Sequence, residues 1–327
     1  MTMAKTMKVL QILKPGEVSW TDAPVPQPGP DEVLVRVAQV NTCPHWDMHL
    51  LEGIPMFTGM VIQYPYTAGQ PGHEAVGEVA AVGAGVRGLA VGTRVACWRD
   101  AGHHRQGCYA QYVPMHKDHV LPLPAHVTWD QATSLELAMC VQISCSQLQR
   151  IEAIQGKAVG VSGLGAAGLV AIQMARAYGA SRVVGVDPVA SRRDLALRLG
   201  ADAVYAPDQA AWPAGRGGER SVYATIDCTG LKASIEFMMD RSQRAVAIFG
   251  VLREQVNFGP QHFGGLWLIG YESHHVEAAR QALKLIADGK LDLSVLISAR
   301  LPFTRYLEGI AMLKRKDAIK VCYQPWA

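Results

Sequence analysis

Three short stretches of this chain concentrate side chains that bind metals or move protons. The first is Asn41-Thr42-Cys43-Pro44-His45-Trp46-Asp47-Met48-His49, the second is Gly72-His73-Glu74, and the third runs from Glu136 through Cys140 to Ser144. Thiolate, neutral imidazole and carboxylate are the donors zinc takes. A catalytic zinc site uses three of them and leaves a fourth position open for water or substrate. An ion held so polarises a carbonyl or lowers the pKa of an alcohol. If the third stretch is helical, Glu136 and Cys140 are one turn apart and share a face. Both can then approach one ion; the alternative is a small buried cysteine beside a solvated helix charge. A histidine suits proton transfer near neutral pH, which makes His45 and His49 candidates for a relay.

A second chemistry is written at Gly163-Leu164-Gly165-Ala166-Ala167-Gly168, which follows an apolar run and opens a stretch of helical composition. The first glycine permits a tight turn, the second lets a pyrophosphate come close to the backbone, and the third lets helix and strand pack closely. The free N–H groups at the helix start then face the phosphates. Asp187 closes the next apolar run, 19 residues after the last glycine. A carboxylate there accepts the ribose hydroxyls of NAD and repels a 2′-phosphate. NAD(H) is therefore expected over NADP(H), although Arg192 and Arg193 follow closely and arginines here can hold a phosphate.

These residues need a scaffold. The 327 residues suffice for about two domains. Hydrophobic residues make up 49% and charged residues 18%, a globular composition. The net charge of +3 is spread along the chain without a basic run, which excludes a polybasic surface for nucleic acid or membrane. No window reaches the ~18 consecutive apolar residues that span a bilayer. Residues 1–8 carry two lysines with no apolar stretch behind them, so no secretory leader is expected. Seven scattered cysteines, an odd number, read as reduced thiols of a cytoplasmic protein.

The texture of the chain changes twice. Up to about residue 130, short Val-rich runs such as 33–37 and 75–79 lie between Gly/Pro turns, the pattern of a β-barrel-like domain. From about 140 to 270, strands at 157–161, 182–186, 221–226 and 245–249 alternate with helices at 166–178 and 191–199, which calls for βαβ units and a parallel sheet. A helix at 276–287 and a strand at 319–323 follow, and 209–218 reads as a surface loop.

The chain resembles the zinc-type medium-chain dehydrogenase/reductase superfamily of alcohol, sorbitol and threonine dehydrogenases. The likeness rests on Gly72-His73-Glu74 leading to Val82-Gly83, on Gly92-Thr93-Arg94-Val95, on the glycine turn with Asp187, and on the tail from Leu285-Ile286-Ala287-Asp288-Gly289-Lys290 through Lys320-Val321. It implies a Rossmann doubly wound parallel sheet at 138–270 and a GroES-like β-barrel catalytic domain at 1–137 completed by 271–327. It implies an active site in a cleft and hydride transfer between NAD(H) and an alcohol, aldehyde or ketone. It also implies a homodimer or homotetramer with sheets joined edge to edge.

By the same resemblance Cys43 and His73 are zinc ligands and Glu74 is an exchanging or supporting carboxylate. The third ligand is Glu136, as in sorbitol-type members, or Cys140, as in alcohol-type members, with Cys140 preferred. Ser144 falls where a hydroxyl touches the nicotinamide, and Lys320 where a basic residue lies near the pyrophosphate or is a surface charge. Two features depart from the family. Cys43 stands one residue too early relative to Asp47 and His49, and His45 replaces the usual relay hydroxyl. The four-cysteine structural zinc lobe is reduced to Cys97 and Cys108 with His103 and His104 between them, so one catalytic ion is expected. The stretch 53–70, with Met56, Phe57, Met60, Tyr64 and Tyr66, is expected to line or cover an apolar pocket. The rival readings are a zinc-free quinone or enoyl reductase and a non-catalytic dinucleotide-binding protein.

Overall fold

The computed structural model describes residues 6–57, 59–100 and 102–327; the first five residues, part of the stretch read for a leader, lie outside them. Along the chain come β1 (Thr6–Lys14), β2 (Glu17–Pro24), β3 (Glu32–Asn41), α1 (Pro44–Glu52), β4 (Glu74–Val82), β5 (Arg94–Cys97), β6 (Tyr112–His116), β7 (Val120–Pro122), α2 (Trp129–Ala132) and α3 (Leu135–Gln149). Next are β8 (Ala158–Ser162), α4 (Ala166–Ala177), β9 (Arg182–Val186), α5 (Ala190–Arg198), β10 (Ala203–Tyr205), β11 (Val222–Asp227), α6 (Lys232–Met239), β12 (Ser242–Ile248), β13 (Trp267–Gly270) and α7 (Val276–Ala287). The chain ends with β14 (Ile297–Pro302), α8 (Tyr306–Lys314) and β15 (Lys320–Gln324).

Two compact units result, 1–137 with 292–327 and 138–291. The first holds a sheet of order β14-β15-β3-β4-β5-β7, with β6 also on β3, and a separate β1-β2 hairpin. All its pairs are antiparallel except β14 with β15. Alternation builds it: in β3, Val33, Val35 and Val37 face one core cluster and Leu34 another, while Arg36 is exposed. Each such buried aliphatic contributes about 1.5–3 kcal/mol.

The second unit is a parallel sheet of order β10-β9-β8-β11-β12-β13. Its central strands are buried except for the half-buried Ala158, Arg182 and Tyr223 near their starts, as expected of strands covered on both faces. The order runs outward in both directions from β8 and β11, which marks a topological switch point at their carboxyl ends. The helix expected at 276–287 is present, with Ala278, Ala282, Leu285 and Ile286 on its buried stripe.

Three expectations are corrected. Residues 271–291 belong to the second unit, not the first, because Gln281 of α7 bonds Gln142 and Ser146 of α3. The stretch 209–218 is not merely surface loop. Trp212 is fully buried with Val184, Val186 and Phe237, and its carbonyl accepts two N–H groups of the buried Arg241. In the stretch 53–70, Met56 is buried, Tyr66 belongs to the first unit's core, and Met60 and Tyr64 pack against that core, so these four are packing residues. Phe57 alone of the five remains exposed, edge-on to Trp46.

Candidate active site

Cys43 occupies the cap position just before α1, with φ −101° and ψ 96°. This extended backbone explains how the chain tolerates the early cysteine. Within a helix a one-residue shift turns a side chain by roughly 100°, but at a cap the turn is absorbed. Pro44 starts the helix and Gly53, at φ 75°, ends it. His73 lies in the turn that enters β4, and Glu74 is the first residue of that strand, paired with Asn41 of β3. Strand pairing thus carries Glu74 to the end of β3, beside Cys43. One donor atom each from Cys43, His73 and Glu74 lies within 4.8 Å of the others.

The orientation of His73 is set by Pro71, whose carbonyl lies 2.7 Å from Nδ1. Nδ1 donates to that carbonyl, which turns Nε2 toward the other groups of the cluster. That nitrogen is 3.7 Å from Glu136 Oε2. Burial disfavours the charged imidazole, but Glu136, Cys43 and Glu74 outweigh it and hold the His73 pKa well above its usual value. A cation belongs among these groups. Glu74 Oε2 is buried without a hydrogen-bond partner among the described residues, an acceptor that an ion would satisfy. The donor set of thiol, imidazole and carboxylates suits zinc, so the residues fit the metal.

Glu74 Oε1 is held by Lys320 Nζ at 2.5 Å, with both side chains 1% exposed, and Lys320 also donates to the carbonyl of Thr42 at 2.6 Å. Lys320 is therefore not a surface charge, and its ammonium is committed to this pair. Removing one partner from a buried pair costs about 3–5 kcal/mol.

Asp47 lies on the buried face of α1. It is fully buried, and its carboxylate accepts from Tyr109 Oη, Tyr306 Oη and the N–H of Cys43, at 2.7, 2.6 and 2.8 Å. Burial pushes its pKa up to about 6, against these bonds. Asp47 fixes the backbone of the cysteine cap. Tyr109 and Tyr306 lie 62 and 259 residues away in the chain, and no local signal announces them. His45 and His49 sit one turn apart on α1 with their rings 5.8 Å apart, and His45 faces solvent. Among the described residues, Cys97, Cys108, His103 and His104 form no metal-capable cluster. Cys97 and Cys108 are free thiols joined by a hydrogen bond that, with burial, holds the Cys108 pKa well above the usual thiol value, while the His103 ring lies tilted against Trp46.

In the second unit, Cys140 Sγ is 3.4 Å from His274 Nε2. Ser144 is fully buried on α3 and its hydroxyl has no bonded partner among the described residues. The glycine turn has the expected geometry. Gly163 has φ 80°, and a Cβ on Gly168 would meet the carbonyl oxygen of Gly163 at 1.9 Å. A Cβ on Gly165 would find only the Arg192 guanidinium, at 3.9 Å, so the backbone there is open to a ligand. Ala166 and Ala167 form the first turn of α4, whose amides face the same opening. Asp187 is 4% exposed and accepts the N–H groups of Leu164 and Val189, each at 2.7 Å. Arg192 lies 4.0 Å from it, while Arg193 is taken up by the carbonyls of Asp187 and Pro188. This cradle fits a dinucleotide phosphate.

Residues 29–125 match the alcohol dehydrogenase GroES-like domain family, and residues 166–288 match the zinc-binding dehydrogenase family. The chain is similar to an alcohol dehydrogenase of Geobacillus stearothermophilus, 28% identical over 88% of this chain and 90% of that one. It is similar to a sorbitol dehydrogenase of Gallus gallus, 26% identical over 98% and 97%. Among solved structures it resembles one described as a zinc-binding dehydrogenase of Sinorhizobium meliloti 1021 bound to NADP, with TM-score 0.84, 26% identity and coverage of 98% and 100%. The parallel sheet with its glycine turn, the antiparallel domain with its Cys-His-Glu cluster and these two family matches agree: the chain belongs to the zinc-type medium-chain dehydrogenase/reductase superfamily.

Proposed function

We propose that this protein is a zinc-dependent oxidoreductase that transfers a hydride between NAD(H) and an alcohol or carbonyl substrate of fairly apolar character. The observation that carries the reading is the buried cluster of Cys43, His73 and Glu74, with one carboxylate oxygen left unpartnered. Cys43, His73 and Glu136 would hold the ion. Glu136 is favoured over Cys140 by its distance to His73 Nε2. Zinc in that position supplies Lewis acidity to a substrate oxygen. Glu74 stands ready as a further donor, balanced by Lys320. Pro71 keeps the His73 tautomer, and Asp47 keeps the cap of α1. His45, exposed on the same helix as His49, is the group best placed to pass a proton to solvent.

The dinucleotide would lie on residues 163–168, with Asp187 at the ribose. NAD(H) is favoured because the Asp187 carboxylate, accepting two backbone N–H groups, stands where a 2′-phosphate would meet its charge. Arg192 and the NADP bound to the Sinorhizobium relative argue the other way, so both cofactors belong in the assay. The fold and composition suit a cytoplasmic enzyme, and no helix among the described residues is long and apolar enough to cross a membrane.

The test is metal analysis of freshly purified protein joined to turnover of a panel of alcohols, aldehydes and ketones. About one zinc per chain is expected. Activity should vanish with 1,10-phenanthroline and return with zinc. Metal-free protein that reduces quinones or activated alkenes despite the chelator would replace this reading with the zinc-free one. Tight NADH binding with no turnover across the panel would replace it with a non-catalytic one.

A further inference from the structure

Asp227 is fully buried at the end of β11 and has no part in the chemistry above. Its Oδ1 accepts the hydroxyls of Ser162, Thr229 and Ser234 at 2.8, 2.8 and 2.9 Å. Its Oδ2 accepts the N–H groups of Gly230 and Thr229 at 2.8 and 3.3 Å. Its backbone carbonyl accepts the N–H groups of Phe249 and Gly250, both at 2.9 Å. One residue thereby joins the ends of β8, β11 and β12 and the helix α6. A carboxylate offers about four acceptor sites, so five donors saturate it. Its bonds go to the loops at these strand ends.

The position of this hub matters more than its strength. Ser162 is the last residue of β8 and is followed at once by Gly163, the start of the glycine turn. β8 and β11 are the two strands at which the sheet order reverses, and ligands of such sheets bind outside the carboxyl ends at that point. The loops there approach one another closely. A Cβ on Gly163 would meet Thr229 Cγ2 at 2.6 Å, one on Gly230 the Val251 carbonyl oxygen at 2.4 Å, and one on Gly250 the Gly230 nitrogen at 2.0 Å. Backbone bonds from Gly163 to Val186 and from Cys228 to Ser162 tie the turn to the strand ends, and the Ser162 hydroxyl on Asp227 adds the side-chain link between the turn and the 227–230 loop.

We propose that Asp227, acting through Ser162, is the positioning residue that holds the 163–168 turn at the height needed to receive a dinucleotide pyrophosphate. This rests on the reading that the turn binds a nicotinamide dinucleotide. Ser162 reports on the turn side of the hub. Ser234, on α6, makes a bond of the same kind to the same oxygen from the helix side, which separates positioning from general stability.

The experiment titrates full-length wild type, Ser162→Ala, Ser234→Ala and Asp227→Asn with NADH and NADPH by cofactor fluorescence, alongside thermal melts. Loss of one hydrogen bond to a charged group predicts a Kd raised about 10-fold or more in Ser162→Ala, with the KM for the dinucleotide rising and kcat kept. Ser234→Ala should shift the melt equally but keep Kd within about twofold. Asp227→Asn, which replaces one of the two acceptor oxygens by an NH2 group and removes the charge, should lose more affinity than Ser162→Ala. An unchanged Kd in Ser162→Ala, or equal losses in Ser162→Ala and Ser234→Ala, overturns the proposal while leaving the dinucleotide reading intact. Wild type that binds neither cofactor overturns both.

Discussion

At the level of single residues, the site is a problem of which donors meet. Glu136 and Cys140 look equivalent in the sequence, four apart on one helix. What separates them is the approach of Glu136 to His73 at 3.7 Å. We therefore expect Glu136→Ala to lose about tenfold or more in zinc affinity, and Cys140→Ala to keep zinc near the wild-type content. Zinc content by inductively coupled plasma mass spectrometry after dialysis checks both, and the reverse pattern would return Cys140 to the ligand set. Lys320 is a second case in which residue type alone misleads. A lysine near the chain end reads as solvated, yet here it is buried against Glu74 because β15 pairs with β3.

At the level of elements, the periodic segments were legible. The strand at 182–186 and the helix at 276–287 occur where alternation and an apolar stripe call for them. The glycine turn was legible because each glycine has a separate steric duty. Those duties separate two substitutions. Gly168→Ala would drive Cβ into the Gly163 carbonyl oxygen at 1.9 Å, so it should lower the melting temperature by at least several degrees, since overpacking costs about 1–3 kcal/mol. Gly165→Ala has room in the free protein and should melt within about 1 °C of wild type, yet bind NADH more weakly because its methyl occupies the approach of the phosphate. Differential scanning fluorimetry with and without NADH reads both. Illegible were segments whose role depends on what covers them. Trp212 sits among Pro and Gly residues that signal a loop, and β9, β11 and α6 turn it into a core residue.

At the level of the whole molecule, two sequence stretches far apart complete the first unit, since 292–327 returns to it. The second unit ends at an edge, because β13 pairs only with β12 among the described residues and exposes Trp267 and Leu268. An open apolar edge is a pairing surface. We expect copies of the chain to associate there, as the family resemblance implies, and Leu268→Lys to shift the assembly toward monomer in size-exclusion chromatography with light scattering. A wild-type protein already monomeric at high concentration would refute this.

The sequence by itself determined the residue types, the glycine turn, the element periods and the family, because all of these are local or ordered along the chain. Tertiary structure decided the rest: that Glu74 meets Lys320 across 246 residues, that Asp47 meets Tyr306 across 259, and that Asp227 gathers three strand ends. Such contacts depend on strand register and sheet order. A shift of one residue in a strand reverses every side chain it presents, and no local pattern records which register the packed core selects.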